Sequence, residues 1–440
     1  MIGFVSTRGK DRASFREAVL SGLASDGGLY MPERIPVWKK NELRPFRSLP
    51  YHELAHAILQ PYMKGHVCES DSLSICRDAF DFPVPLVHLY DNLFVLELFH
   101  GPSLAFKDFG ARFLARVMGY FSRKEGMETL VLVATSGDTG SAVAQGFHRV
   151  PGIRVAVCYP SGKVSPLQEK QFATLGGNIL ALEVNGTFDD CQRLVKEAMV
   201  HPGLTEKFRV TTANSINVGR LLPQMVYYLY AWLNMPSQEK GLVVSVPSGN
   251  FGNLTAGLMA MRSGMPAERF VASTNVNRIF PEYLETGEYK PRTSVSTLAN
   301  AMDVGHPSNV ERILSLFSWN HEEISARIHG FSLNSDPEIL DAIEQLYRKC
   351  GYVADPHGAI GWAGLRPWLE LNANLQGFFL ETAHPGKFYD DVARVVPELE
   401  MPRGLQESMQ KELLSVKVEA RLPEVVECIL SFQPGGNRRS

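Results

Sequence analysis

Six short runs in this 440-residue chain are apolar almost without interruption: residues 129–135, 153–160, 179–184, 241–247, 270–274 and 375–382. A strand with one face in water alternates apolar and polar residues, whereas a strand covered on both faces reads as a continuous apolar run. Helical patterns separate the runs, among them the small-residue stretch 141–147. Buried strands alternating with helices predict parallel sheets covered by helices, an α/β fold. The length implies two or three domains. We read residues 1–90 as a smaller N-terminal α+β region and 91–240 and 241–400 as two parallel-sheet α/β domains. Residues 401–440 read as a C-terminal extension with a frayed tail, and 285–345 as a charged, helical excursion from the second sheet. Near the start, Ser14 and Glu17 have capping-box spacing ahead of an amphipathic helix.

Charge and composition narrow the function. The net charge is −3, with no basic stripe, so no nucleic-acid partner is expected. The apolar runs are far shorter than a membrane span, and the first residues lack the apolar core of a signal peptide. Six cysteines are scattered without a CxxC pair, which fits reduced thiols in a cytoplasmic protein. His52 and His56, with Glu53-Leu54-Ala55 between them, read as a partly exposed helix face, and no metal is expected.

One lysine carries the chemistry. Lys107 follows an apolar stretch (93–96) and a Gly101-Pro102 break, lies between bulky apolar neighbours, and opens a helical pattern. Withdrawal from water disfavours the ammonium, lowers the pKa and frees a neutral amine for Schiff-base formation. The plainer reading is a helix-start lysine whose stem lies over the core. Two strand ends weigh against that reading. After the run 241–247 come Ser248, Gly249, Asn250, Phe251, Gly252 and Asn253, then a helix. Glycines here let helix-start N–H groups converge on one anion, and Ser248, Asn250 and Asn253 add side-chain donors. Without Gly-Lys-Ser/Thr it is no nucleotide P-loop and suits a single phosphate. After the run 129–135, Ser136, Gly137, Asp138 and Thr139 begin another helix, as either a cap or a nest for a carboxylate or phosphate. An amine for an aldehyde plus a cradle for a phosphate describes pyridoxal 5′-phosphate (PLP). Thr382, ending the last run, is a candidate partner for the pyridine nitrogen, and its neutral hydroxyl would leave that nitrogen largely unprotonated.

The segments 99–108, 134–140, 214–217, 247–253, 302–309 and 382–385, with the opening residues 6–8 and 23–32, closely resemble threonine synthase of the bacterial and fungal branch. The resemblance runs in order over nearly the whole chain. It implies a fold type II PLP enzyme, tryptophan synthase β-like, that converts O-phospho-L-homoserine and water to L-threonine and phosphate. It further implies that Lys107 holds PLP, and that Gly249, Asn250, Phe251 and Asn253 bind its phosphate, within a loop that also holds Ser248 and Gly252. Thr382 would face the ring nitrogen and Asp138 the ring hydroxyl. Ser136 and Thr139 would hold the substrate carboxylate, and Ser215 and Arg220 its phosphate. Positions depart from the family pattern: Ser103 for Thr, Val218-Gly219 for a bulkier pair, Arg278 for an acid, Gly358 for Thr and Gly386 for Ala. The alternatives are a phosphohomoserine lyase giving 2-oxobutyrate and a non-catalytic PLP-binding homologue. The enzyme is expected as a monomer or a homodimer.

Overall fold

The computed structural model describes residues 1–135 and 137–434. The N-terminal region holds a small antiparallel sheet, with Phe4–Ser6 between Arg12–Ala13 and Tyr30–Pro32. The helix Phe15–Ser21 starts on the expected capping box: Ser14 Oγ accepts from the Glu17 N–H, and the Glu17 carboxylate accepts from the Ser14 N–H at 2.8 Å.

Two larger sheets build the rest. One is wholly parallel, in the order Val416–Glu419, Ile179–Asn185, Ile153–Pro160, Thr129–Ala134, Arg209–Thr212. The other runs Ile328–Ser332, Ala267–Thr274, Gly241–Pro247, Leu375–Glu381, Leu93–Glu97, Leu86–Tyr90, and only its last pair is antiparallel. Central strands are buried throughout, as the apolar runs require: Val131, Val155, Val244, Phe378 and Phe379 have no exposed surface.

Sheet membership departs from the linear division. Leu93–Glu97, expected to open the domain of Lys107, pairs in parallel with Leu375–Glu381 (Phe94 opposite Phe378) and so belongs to the other sheet. Val416–Glu419 extends the five-stranded sheet (Val418 opposite Val184), and Val425, Val426 and Ile429 join the apolar cluster of Leu194 and Val195. Residues 401–434 therefore complete a core rather than trail from it. Lateral strand partners this distant leave no trace in local periodicity. The excursion is only partly helical: residues 288–297 form neither helix nor strand. There Pro291 has no N–H to offer a helix, and side chains take the backbone donors, Asn277 Oδ1 from Val295 and Asp303 Oδ2 from Thr297.

Residues 52–56 spell His-Glu-x-x-His, a pattern that places two imidazoles on one helix face. On the helix Tyr51–Met63, however, His56 Nδ1 is engaged with Ser72 Oγ at 3.0 Å. Among the described residues no third metal-capable side chain joins them.

Candidate active site

In open parallel sheets ligands bind beyond the carboxyl ends of strands, and the expected site residues follow such ends. Thr382 follows Leu375–Glu381, and Ser248 to Asn253 follow the neighbouring Gly241–Pro247. Asp138 follows Thr129–Ala134, and Ser215 follows the adjacent Arg209–Thr212. Lys107 opens the helix Lys107–Glu125, a short connection after Leu93–Glu97. That connection is stitched to the Thr382 segment. Phe106 N–H donates to Thr382 O at 2.8 Å, His384 N–H to Leu104 O at 3.0 Å, and Ala105 bridges Ala383. Leu104 sits in the left-handed region (φ 54°), a strain of about 1 to 2 kcal/mol that these bonds hold in place.

Lys107 keeps 16% of its side-chain surface open. Burial lowers its pKa from the ordinary lysine value. Lys387 and Arg220 push in the same direction, and Asp138, whose Oδ2 lies 3.6 Å from Nζ, partly opposes them. Asp138 is buried, which by itself favours its neutral form. The positive charges of Lys387 and Lys107 outweigh that and hold the carboxyl far below the usual carboxylate range. Asp138 begins the helix Asp138–Phe147 behind Gly137, whose φ of 150° is open to glycine but rarely to other residues. The helix start is capped by Thr135, whose Oγ1 accepts from the N–H groups of Gly137 and Gly140 at 3.0 and 2.8 Å. Thr139 is half-buried on the first turn, and Ser136 lies outside the described residues.

Arg220 is 4% exposed on the short helix Val218–Leu221. Its Nη1 donates to Ala213 O at 2.8 Å, its Nε has no partner, and it joins no ion pair among the described residues. Burial lowers its pKa to about 10, with Asp108 opposing the shift. The Arg220 backbone packs on the helix of Lys107 at Gly110, where a Cβ would lie 2.8 Å from Arg220 O. Ser215 and Asn250 also meet: Asn250 Nδ2 donates to Ser215 Oγ at 2.6 Å.

In the loop after Gly241–Pro247 the side chains divide into two kinds. Ser248 Oγ donates to Val246 O and Asn253 Oδ1, and Asn253 Nδ2 donates to Pro247 O at 2.6 Å. These two side chains, expected as donors to a ligand, are spent shaping the turn. Phe251 adopts φ 57° ahead of the helix Gly252–Arg262. The backbone N–H groups of Gly249, Asn250 and Phe251 have no acceptor among the described residues.

Four residues had no individual signal in the sequence. Lys387 Nζ donates to Asp138 Oδ1 at 2.7 Å and to Ser103 O at 3.1 Å. Gln168 Nε2 donates to the same Asp138 oxygen at 3.1 Å. Asp108 is fully buried, and burial raises its carboxyl to about 6. Arg312, also fully buried, ties the carbonyls of Ser215, Ile216 and Tyr30 together. Lys387 was the most accessible of these to sequence reasoning, since it lies between Gly386 and Phe388 just after the apolar strand that ends at Thr382.

Residues 82–377 match the family profile described as pyridoxal-phosphate dependent enzyme, and residues 3–80 match that of the threonine synthase N terminus. Threonine synthase of Haemophilus influenzae is 44% identical over 93% of this chain and 95% of its own length. That of Escherichia coli is 39% identical over 96% of this chain and 98% of its own. The structure of PLP-bound threonine synthase from Brucella melitensis aligns with a TM-score of 0.92 at 34% identity, covering 98% of this chain and 99% of that one. In sequence over nearly its whole length and in fold, the chain belongs to the threonine synthase family of PLP-dependent enzymes of fold type II.

Proposed function

We propose that this protein converts O-phospho-L-homoserine and water to L-threonine and phosphate, with PLP on Lys107. The observation that carries the reading is a half-buried amine of lowered pKa with a buried guanidinium packed on its helix that joins no ion pair among the described residues. The residues fit the cofactor. Lys387 is paired with Asp138, while among the described residues Arg220 joins no ion pair and the N–H groups of Gly249, Asn250 and Phe251 have no acceptor. A guanidinium and a row of N–H groups, each without an anion of its own, suit a site that takes two phosphates.

Bound there, PLP supplies an electron sink for the substrate α-carbon. The lowered pKa makes Lys107 Nζ a base able to take the proton from that carbon and to return it. The N–H groups of Gly249, Asn250 and Phe251 hold the cofactor phosphate, while Ser248 and Asn253 keep the loop in shape. Thr382 offers the ring nitrogen an uncharged hydroxyl. Ser136 and Thr139 take the substrate carboxylate at the helix start. Ser215 and Arg220 grip the substrate phosphate, a role suited to a guanidinium because its donors match phosphate oxygens in pairs. A proton leaves Cβ, the C–O bond at Cγ breaks as phosphate departs, a proton goes to Cγ, and the OH of water joins Cβ. Departed phosphate, retained by Arg220, takes the proton of that water.

The reading is of a small-molecule enzyme of the cytoplasm, monomeric or homodimeric, acting without nucleic acid. Among the described residues no helix is long and apolar enough to cross a membrane. The test is product analysis of the PLP-loaded protein with O-phospho-L-homoserine. Threonine equal to phosphate is expected. Phosphate with 2-oxobutyrate would make the protein a lyase, and no phosphate release would refute the substrate.

A further inference from the structure

We infer that Lys387 is a positioning residue that keeps Asp138 ionised and aimed at Lys107, and thereby sets the protonation of the nitrogen that carries the cofactor. The inference rests on Lys107 being that nitrogen. Lys387 lies in the turn Pro385–Phe388, just after the strand Leu375–Glu381, and no part of its side chain reaches the surface. Its ammonium meets Asp138 Oδ1 at 2.7 Å, and Gln168 Nε2 meets the same oxygen at 3.1 Å. With Oδ1 occupied twice, the free oxygen is Oδ2, the one 3.6 Å from Lys107 Nζ.

A carboxyl this deeply buried takes up a proton unless a cation stands beside it. The charged or titratable groups acting on Asp138 are Lys387, Lys107 and, more weakly, His357; those acting on Lys107 are Asp138, Lys387 and Arg220. Lys107 cannot serve as the permanent counter-ion, because its amine must lose its charge when it condenses or acts as a base. Lys387 takes part in neither step and remains the ion-pair partner of Asp138 throughout. Its other contact, to Ser103 O, is duplicated by Gln171 Nε2 at 3.2 Å. Loss of Lys387 therefore leaves that loop held and leaves Asp138 without its fixed cation.

The experiment follows the cofactor absorbance of the holoenzyme against pH for wild type, Lys387→Met, Lys387→Gln, Lys387→Arg and the double variant Lys387→Met with Asp138→Asn. Both charge-free variants should gain a titration step between about pH 5 and 8, where a buried carboxyl without its cation protonates. Wild type and Lys387→Arg should lack the step, and the double variant should lose it. If Lys387→Met does not fold, Lys387→Gln, which keeps a donor without the charge, carries the same expectation. A wild-type profile in a folded charge-free variant overturns the inference. Wild-type protein that develops no cofactor absorbance refutes the assignment of Lys107 instead.

Discussion

Replacing Arg220 with Met should make the empty protein more stable and the enzyme worse. The guanidinium is 4% exposed, and among the described residues its Nε is orphaned and it pairs with no carboxylate. Its pKa, lowered from the ordinary 12.5 to about 10, measures the cost of keeping that charge out of water. The lowering corresponds to about 3 kcal/mol. Met fills a similar volume without a charge and gives up the charge-assisted bond to Ala213 O, worth about 2 kcal/mol. The net gain is about 1 kcal/mol, and for a chain of this length that is a rise of about 1 °C in the Tm of the cofactor-free protein. The loss falls on the substrate. Two charge-assisted bonds to a phosphate contribute about 3 to 5 kcal/mol, so the KM for O-phospho-L-homoserine should rise by about 10² to 10³. Calorimetry of the apo protein and steady-state phosphate release measure the two effects on one preparation. Inorganic phosphate should raise the Tm of wild type more than that of the variant. A lower Tm together with an unchanged KM would show that Arg220 is a structural cation, and the argument would fail.

Two further outcomes follow from buried carboxyls. Burial raises Asp108 to about 6, so its contribution to stability is complete below pH 3.8 and is lost as the pH rises through 6. Asp108→Asn keeps an acceptor for the Ser103 N–H and removes that loss. Urea unfolding should find the variant more stable by up to about 3 kcal/mol at pH 7.5, with the difference vanishing near pH 4; a difference independent of pH would refute the shift. At Gly358 a Cβ would fall 1.7 Å from Oε2 of the fully buried Glu381. Gly358→Thr should therefore cost about 1 to 3 kcal/mol, and Glu381→Ala should recover part of it in a double-mutant cycle. A neutral Gly358→Thr would mean that Glu381 swings aside freely.

Much of the site was legible in the sequence because its chemistry follows strand ends, which apolar runs reveal. Asp138, Thr382 and the glycine loop sit where a run stops, and Lys107 opens a helix after the connection that leaves Leu93–Glu97. The motif said less about what each side chain does within the fold. Ser248 and Asn253 looked like donors to a ligand, but the carbonyls of Val246 and Pro247 claim them. Lys387 and Arg312 were hidden because a residue type does not disclose its burial, and both cations owe theirs to partners far away in the chain. The sheet assignment of Leu93–Glu97 was hidden for the same reason, its neighbour being Leu375–Glu381. The expected helical excursion failed locally: between Glu288 and Thr297 side-chain oxygens compete for the backbone donors that a helix would need.

The contact at Gly110 also acts as a ruler. Because the Arg220 backbone rests directly on the helix that Lys107 begins, base and guanidinium share one rigid gauge. On the proposed roles of Lys107 and Arg220, a substrate spans that gauge with its α-carbon at one end and its phosphate at the other. A homologue shorter by one methylene can satisfy either end but not both, a mismatch worth about 10- to 200-fold in selectivity. Any side chain at position 110 would lengthen the gauge, and with it the substrate the site measures.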